Sequence, residues 1–175
     1  MKKAFLVLAV ILSFGFYASA QTEGAVRKIS VGAEFATPDR KNSNQYSVGG
    51  SIQFEQPVAK SLNLTASAGY LRTTYTDGTK AFMKTYGYPT NWGSIPVKIG
   101  AKYYFGGNFY GAGEVGAAFS VDSSTKTGFI YAPTLGTSFS ISKKSNLDVG
   151  IRYETFVRSA SSGSFGIRAA YSFGF

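Results

Sequence analysis

The sequence predicts an all-β chain: a closed, eight-stranded antiparallel transmembrane β-barrel behind a cleaved signal peptide. Three observations carry this expectation. The chain opens as an export signal does. Its last residues, Ala169-Ala170-Tyr171-Ser172-Phe173-Gly174-Phe175, put an aromatic side chain at every second place and end on Phe. Between these ends, segments of period-2 alternation are separated by turn residues.

The export signal has its three parts. Met1-Lys2-Lys3 is the positive region, Ala4 to Ala18 the apolar run, and Ala18-Ser19-Ala20 the small-residue cleavage site. The run falls short of the roughly 20 residues that a spanning helix needs. Cleavage after Ala20 makes residues 1–20 the signal peptide and 21–175 a single barrel domain. The chain has no Cys, which excludes lipoprotein processing and disulfides, and no His, which removes the commonest general base and transition-metal ligand. Mean hydropathy is -0.02, as expected of spanning strands that alternate apolar with polar. Formal charge is +9, and removing Lys2 and Lys3 leaves +7. The basic residues are scattered, so lipid phosphates are the expected anionic partner and nucleic acid is not.

The first strand, about Arg27 to Thr37, sets Ile29, Val31, Ala33 and Phe35 against Lys28, Ser30, Gly32 and Glu34. The second, about Tyr46 to Glu55, sets Val48, Ile52 and Phe54 against Ser47, Ser51, Gln53 and Glu55. The third, from Leu62 to Tyr70, sets Leu64, Ala66 and Ala68 against Asn63, Thr65 and Ser67. A long loop from Arg72 to Trp92 follows. The fourth strand, Ile95 to Phe105, sets Val97, Ile99 and Tyr103 against Lys98, Gly100 and Lys102. Gly106-Gly107-Asn108 is a tight turn. The fifth strand sets Phe109, Val115, Ala117, Phe119 and Val121 against Tyr110, Glu114, Gly116 and Ser120. The sixth sets Phe129, Tyr131, Leu135, Phe139 and Ile141 against Thr134, Gly136, Ser138 and Ser140. The seventh sets Leu147, Val149, Ile151 and Tyr153 against Asp148, Gly150, Arg152 and Glu154. After a polar loop from Arg158 to Ser164, the eighth sets Phe165, Ile167, Ala169, Tyr171, Phe173 and Phe175 against Gly166, Arg168 and Ser172. Connections alternate longer and shorter, so the first, third, fifth and seventh face outward from the cell.

Alternation alone does not say which face is inside. A soluble lipocalin-like barrel would place the apolar face around a greasy ligand. Three features favour the inverse. Aromatics fall at two levels on the apolar face, as in interfacial girdles. Every strand carries a Gly on its polar face, which makes room in a narrow lumen. Finally, that face carries both signs: Glu34, Glu55, Glu114, Asp148 and Glu154 with Lys28, Lys98, Lys102, Arg152 and Arg168. Confined charges must pair or stay wet, so an ion-pair network filling the lumen is expected. Pro96 and Pro133 strain a barrel without free edges; the expectation is that they sit near the outer rim, where pairing has stopped, or in a bulge. Leu71 breaks the pattern of the third strand.

Ile95-Pro96-Val97-Lys98 with Lys102-Tyr103-Tyr104-Phe105, then Gly106 and Tyr110-Gly111, resemble the central hairpin of PorT-like barrels. With the closing strand, nearly the whole mature chain resembles the small outer-membrane β-barrel family, that is, OmpA/OmpX-like and porin-family barrel domains. No cell-wall-binding domain follows, unlike full-length OmpA relatives. The resemblance implies the outer membrane of a Gram-negative bacterium, outer-membrane lipids and lipopolysaccharide as surroundings, and a monomer. It also implies that Tyr171, Phe173 and Phe175 form the signal read by the barrel-assembly machinery.

Related barrel enzymes use a His, which this chain lacks, so no enzyme and no cofactor or metal is expected. A charged lumen argues against a narrow OmpW-like channel for small molecules, which remains the alternative. The expected role is structural or surface-binding. Its candidate binding surface is the long loop: Arg72, Tyr75, Lys80, Phe82, Lys84, Tyr86, Tyr88 and Trp92 combine aromatic and basic residues. An extracellular ligand is not named by the sequence. The competing account is that these aromatics continue the strands or pack over the barrel mouth.

Overall fold

A computed structural model describes residues 26–40, 44–106, 108–121, 127–157 and 161–175. The signal peptide lies outside the described residues, as do Gly107 of the expected tight turn and parts of three polar loops.

Eight antiparallel strands close into one barrel in sequence order. They are β1 (Lys28–Pro38), β2 (Gln45–Ala59), β3 (Leu62–Tyr75), β4 (Asn91–Gly106), β5 (Phe109–Ser120), β6 (Gly128–Ser142), β7 (Ser145–Val157) and β8 (Ser161–Gly174). One helix, α1 (Asp77–Thr85), joins β3 to β4. Closure comes from β1 pairing with β8, from Lys28↔Gly174 to Pro38↔Ser164. Stepping across the ladders from Lys28 through Glu55, Thr65, Gly100, Glu114 and Ala132, then along the unchanged β6–β7 register to Glu154 and on to Ser164, returns to β1 at Pro38, ten residues on (38 − 28). A shear of this size goes with strands tilted by about 40°.

The two rims differ. At the lower rim two residues separate each pair of strands, with turns described at 60–61 and 143–144. At the upper rim the connections are 39–44, 76–90, 121–127 and 158–160. Several strands run further than alternation alone predicts. The expected Arg72–Trp92 loop is in part strand: Arg72 and Tyr75 lie on β3 and Trp92 on β4. Backbone pairing continues there because Thr73 and Thr74 still face Trp92 and Asn91, and ladder bonds do not require alternating hydropathy. The polar stretch expected from Arg158 to Ser164 is likewise mostly β8.

The barrel wears its apolar side chains outside. Ile151 is 62% exposed and Ile167 51%, whereas Glu114 is 6% exposed. Outward aromatics touch in pairs near both rims, Phe35 with Tyr46 and Tyr153 with Phe165 above, Tyr171 with Phe173 and Tyr103 with Phe105 below. Tyr171 and Phe173 face outward on the closing strand, and Phe175, just after it, is exposed.

The prolines correct the expectation. Neither lies where pairing has stopped, and neither makes a bulge. The β3–β4 ladder passes from Ala68↔Val97 to Leu71↔Ser94 in unchanged register, skipping two pairs around Pro96. The β6–β7 ladder does the same between Tyr131↔Thr155 and Thr134↔Arg152, around Pro133. Both prolines stay paired with β5, at Ala118 and Gly113. In an antiparallel sheet a residue's N–H points to one neighbour only. Each proline therefore removes a donor from one seam and leaves the other intact.

Candidate functional site

The lumen is built in storeys. At the lower mouth a pocket of about 360 Å3 is lined by Lys28, Lys60, Lys143, Lys144, Asn63 and Tyr104, among others. Above it, Lys102 is held between two carboxylates, 2.8 Å from Glu55 and 3.3 Å from Asp148. Asn63 donates to Glu55 and Ser172 to Asp148. The Lys102 ammonium also lies 4.0 Å from the centre of the Tyr110 ring, a cation–π contact. Tyr110 lies along the inner wall over β6 and β7 because Gly136 and Gly150 leave room for it: a Cβ at either place would run into its hydroxyl.

The second cluster holds three cations and three carboxylates. Lys98 bonds Glu154 at 2.8 Å and stands 4.0 Å from Glu114. Arg152 bonds Glu34 at 2.9 Å and lies 3.6 Å from Glu154. Arg168 lies 3.6 Å from Glu34 and donates to Ser51 and Ser30. Gln53 and Ser67 donate to Glu114. Nine of the ten charged lumen residues named from sequence thus meet in two groups, Lys102 with Glu55 and Asp148, and Lys98, Arg152 and Arg168 with Glu34, Glu114 and Glu154. Four cations face five carboxylates, and Lys28, 5.7 Å from the centre of the Tyr104 ring, is a fifth cation at the edge of the lower group. Buried charges are tolerable only when paired and hydrogen-bonded, and these are.

Sequence reasoning missed what lies above. Leu71, Ala118, Ile130 and Ala132 turn inward and are buried, with Phe156 beside them. Leu71, Ala118 and Ile130 form an apolar collar above the ions, and Ala132 lies level with them, paired with Glu114. The signal was present in Phe129-Ile130-Tyr131-Ala132, where apolar residues are consecutive and both faces of the strand must be apolar. Leu71 keeps the alternation of β3; only its polarity breaks the pattern.

Above the collar opens a cup of about 450 Å3. Its floor has Leu71, Phe156 and Glu154, and its walls carry Trp92, Arg40, Gln45 and a series of hydroxyls that includes Ser47, Thr73 and Ser164. Ser47 and Thr73 are bonded to each other, and Arg40 donates to the Ser161 carbonyl.

The candidate loop residues separate into two places. Tyr75 and Trp92 meet edge to face at 5.7 Å, and Trp92 lines the cup. Lys80, Phe82 and Lys84 ride on α1, with Tyr86 and Tyr88 after it. Phe82 and Tyr86 touch at 4.7 Å yet remain exposed, as does Tyr88. No residue of α1 is buried. Arg72 faces away from the lumen and donates to Asn91.

No family model matches the chain, and no curated protein matches it. Solved structures do. Neisserial surface protein A is 15% identical, with 85% of this chain and 97% of that one covered at a TM-score of 0.64. The outer membrane protein AlkL, solved in lipid bilayers, is 12% identical, with 90% and 93% covered at 0.59. Ail, the attachment invasion locus protein of Yersinia pestis, is 14% identical, with 85% and 99% covered at 0.54. At these identities the likeness is one of fold: a closed, eight-stranded barrel of the kind found in outer membranes.

Proposed function

We propose that this protein is a monomeric barrel of a Gram-negative outer membrane that does not conduct, catalyses no reaction, and serves as a rigid pedestal for binding at the cell surface. The observation that carries this reading is the filled lumen: fully buried Ile130 and Ala118 lie above buried ions that are paired with one another. An apolar outer wall with a charged interior suits a chain surrounded by acyl tails. The lower rim, with its short turns, faces the periplasm, and the upper rim faces outward. Tyr171, Phe173 and Phe175 then serve as the assembly signal. Likeness in fold to a surface protein and to a protein named for attachment supports a surface role.

The binding place is the cup. A hydroxyl-rich wall with the Trp92 and Phe156 rings fits a small ligand with polar edges and an apolar face, as a saccharide unit has. The rings exposed around α1 extend this surface outward.

The test joins two measurements on the full chain. In planar bilayers the barrel should give no steady conductance. On whole cells or in vesicles, Trp92→Ala should lose glycan binding while the heat-shift on gels persists. Steady single channels would overturn the filled-lumen reading, and glycan binding unaffected by the substitution would remove the cup.

A further inference from the structure

The two mouths of the barrel differ in charge. The upper cup sets Glu154 beside Arg40. The lower mouth, a pocket of about 360 Å3, is lined by Lys28, Lys60, Lys143 and Lys144 and by no Asp or Glu. Register places it on the barrel axis. Lys28 lies opposite Glu55, Asn63 opposite Lys102, and Asn146 opposite Ser172, so all three point into the lumen with the ionic residues. The pocket therefore opens into water at the end of the lumen and not onto the outer wall. Lys60 sits on the β2–β3 turn and Lys143 with Lys144 on the β6–β7 turn. These turns are four strands apart, on opposite sides of an eight-stranded ring.

Inside the lumen the charges cancel. With Lys28 counted, five cations stand with five carboxylates. Lys60, Lys143 and Lys144 come on top of that balance. None of the three forms an ion pair with a carboxylate among the described residues. The Phe175 carboxylate at the same rim offsets one of them, which still leaves two. A cleft lined by charge of one sign, with low-dielectric walls, focuses its field and concentrates counter-ions. Ser140 in the wall accepts from Asn146, so its own hydroxyl hydrogen is left to donate. Lysine ammonium groups on flexible stems bind phosphate as point charges.

We propose that the lower mouth binds a small, multiply charged phosphate anion from the aqueous phase, one of pyrophosphate size, bridged between the lysines of the two opposite turns. A soluble anion suits the site better than a lipid headgroup because the mouth opens along the axis. Binding does not depend on which rim faces the periplasm; in the orientation proposed above, the ligand is a periplasmic one.

The experiment places the full chain, folded in a maltoside detergent that carries no phosphate, in equilibrium dialysis against inorganic pyrophosphate at low salt. Wild type should bind one pyrophosphate per barrel, and added salt should weaken the binding, because exposed charges are screened. Inorganic phosphate, with less charge, should bind more weakly. Lys60→Gln with Lys143→Gln and Lys144→Gln, all exposed turn positions, should keep the heat-shift on gels and lose at least about tenfold in affinity. Lys60→Gln alone removes one side of the bridge and should already weaken binding. Lys80→Gln with Lys84→Gln removes charge of the same sign from α1 at the other rim and should bind like wild type. The proposal is overturned by a wild type that binds no pyrophosphate or by equal affinity in the triple variant. An equal loss in the α1 variant would also overturn it, since net charge and not the mouth would then govern binding. A heat-modifiable barrel without pyrophosphate binding refutes this site and leaves the membrane reading standing.

Discussion

The lower and upper halves of the lumen solve the same packing problem by opposite means. Below, Lys102, Lys98, Arg152 and Arg168 fill space with long side chains whose charges are cancelled by neighbours. Above, Leu71, Ala118 and Ile130 fill it with hydrocarbon. The ionic half fixes geometry, because every member must meet a particular partner. The apolar half needs no particular partner and serves to exclude water. Together they fill the lumen, by matched partners below and by hydrocarbon above.

That contrast predicts unequal responses to truncation. The largest effect should come from Lys102→Ala, which leaves Glu55 and Asp148 buried without their cation. Uncompensated buried charge costs about 3–5 kcal/mol, read as a lowered urea midpoint for unfolding from vesicles. Lys102→Met paired with Glu55→Gln should recover part of that loss, and no recovery would mean that Lys102 acts through packing alone. Next, Ile130→Ala should cost about 2–3 kcal/mol through cavity formation, without the charge-dependent recovery. Trp92→Ala, at the rim of the cup, should cost about 1 kcal/mol while removing surface binding. The smallest effect belongs to Lys84→Ala on α1, where a change within about 0.5 kcal/mol is expected. If Ile130→Ala proves costlier than Lys102→Ala, the two halves have been ranked the wrong way round. Added salt provides a finer separation. Stability of the ionic half should barely respond, because buried pairs are screened little.

Sequence reading reached the strands and their facing because a wall between two solvents forces alternation residue by residue. Glu34 and Ile151 were assignable on that ground alone. Strand ends were less legible. Above the apolar band, Thr73, Thr74 and Asn91 are polar on both faces, so only backbone bonding tells strand from loop there. The collar was hidden for a related reason: Ile130 reads as one more apolar residue in an apolar run, and its inward direction follows from parity counted along the strand. Pairing partners within the network, such as Arg152 with Glu34, depend on register around the closed ring, which no local pattern supplies. Helix α1 has Asp77 in its first turn and Lys84 in its last, both favourable to its dipole. Those are the marks by which a helix could have been found inside the presumed loop.

Pro96 and Pro133 carry one more consequence. A sealed cylinder resists rupture because no strand has a loose border. Here two borders are half-unlaced, one on either side of β4, β5 and β6. Those three strands form a panel stitched firmly within itself and more lightly to the rest. When the wall is pulled or heated, tearing should begin along these two lines, and the panel should come away as a piece.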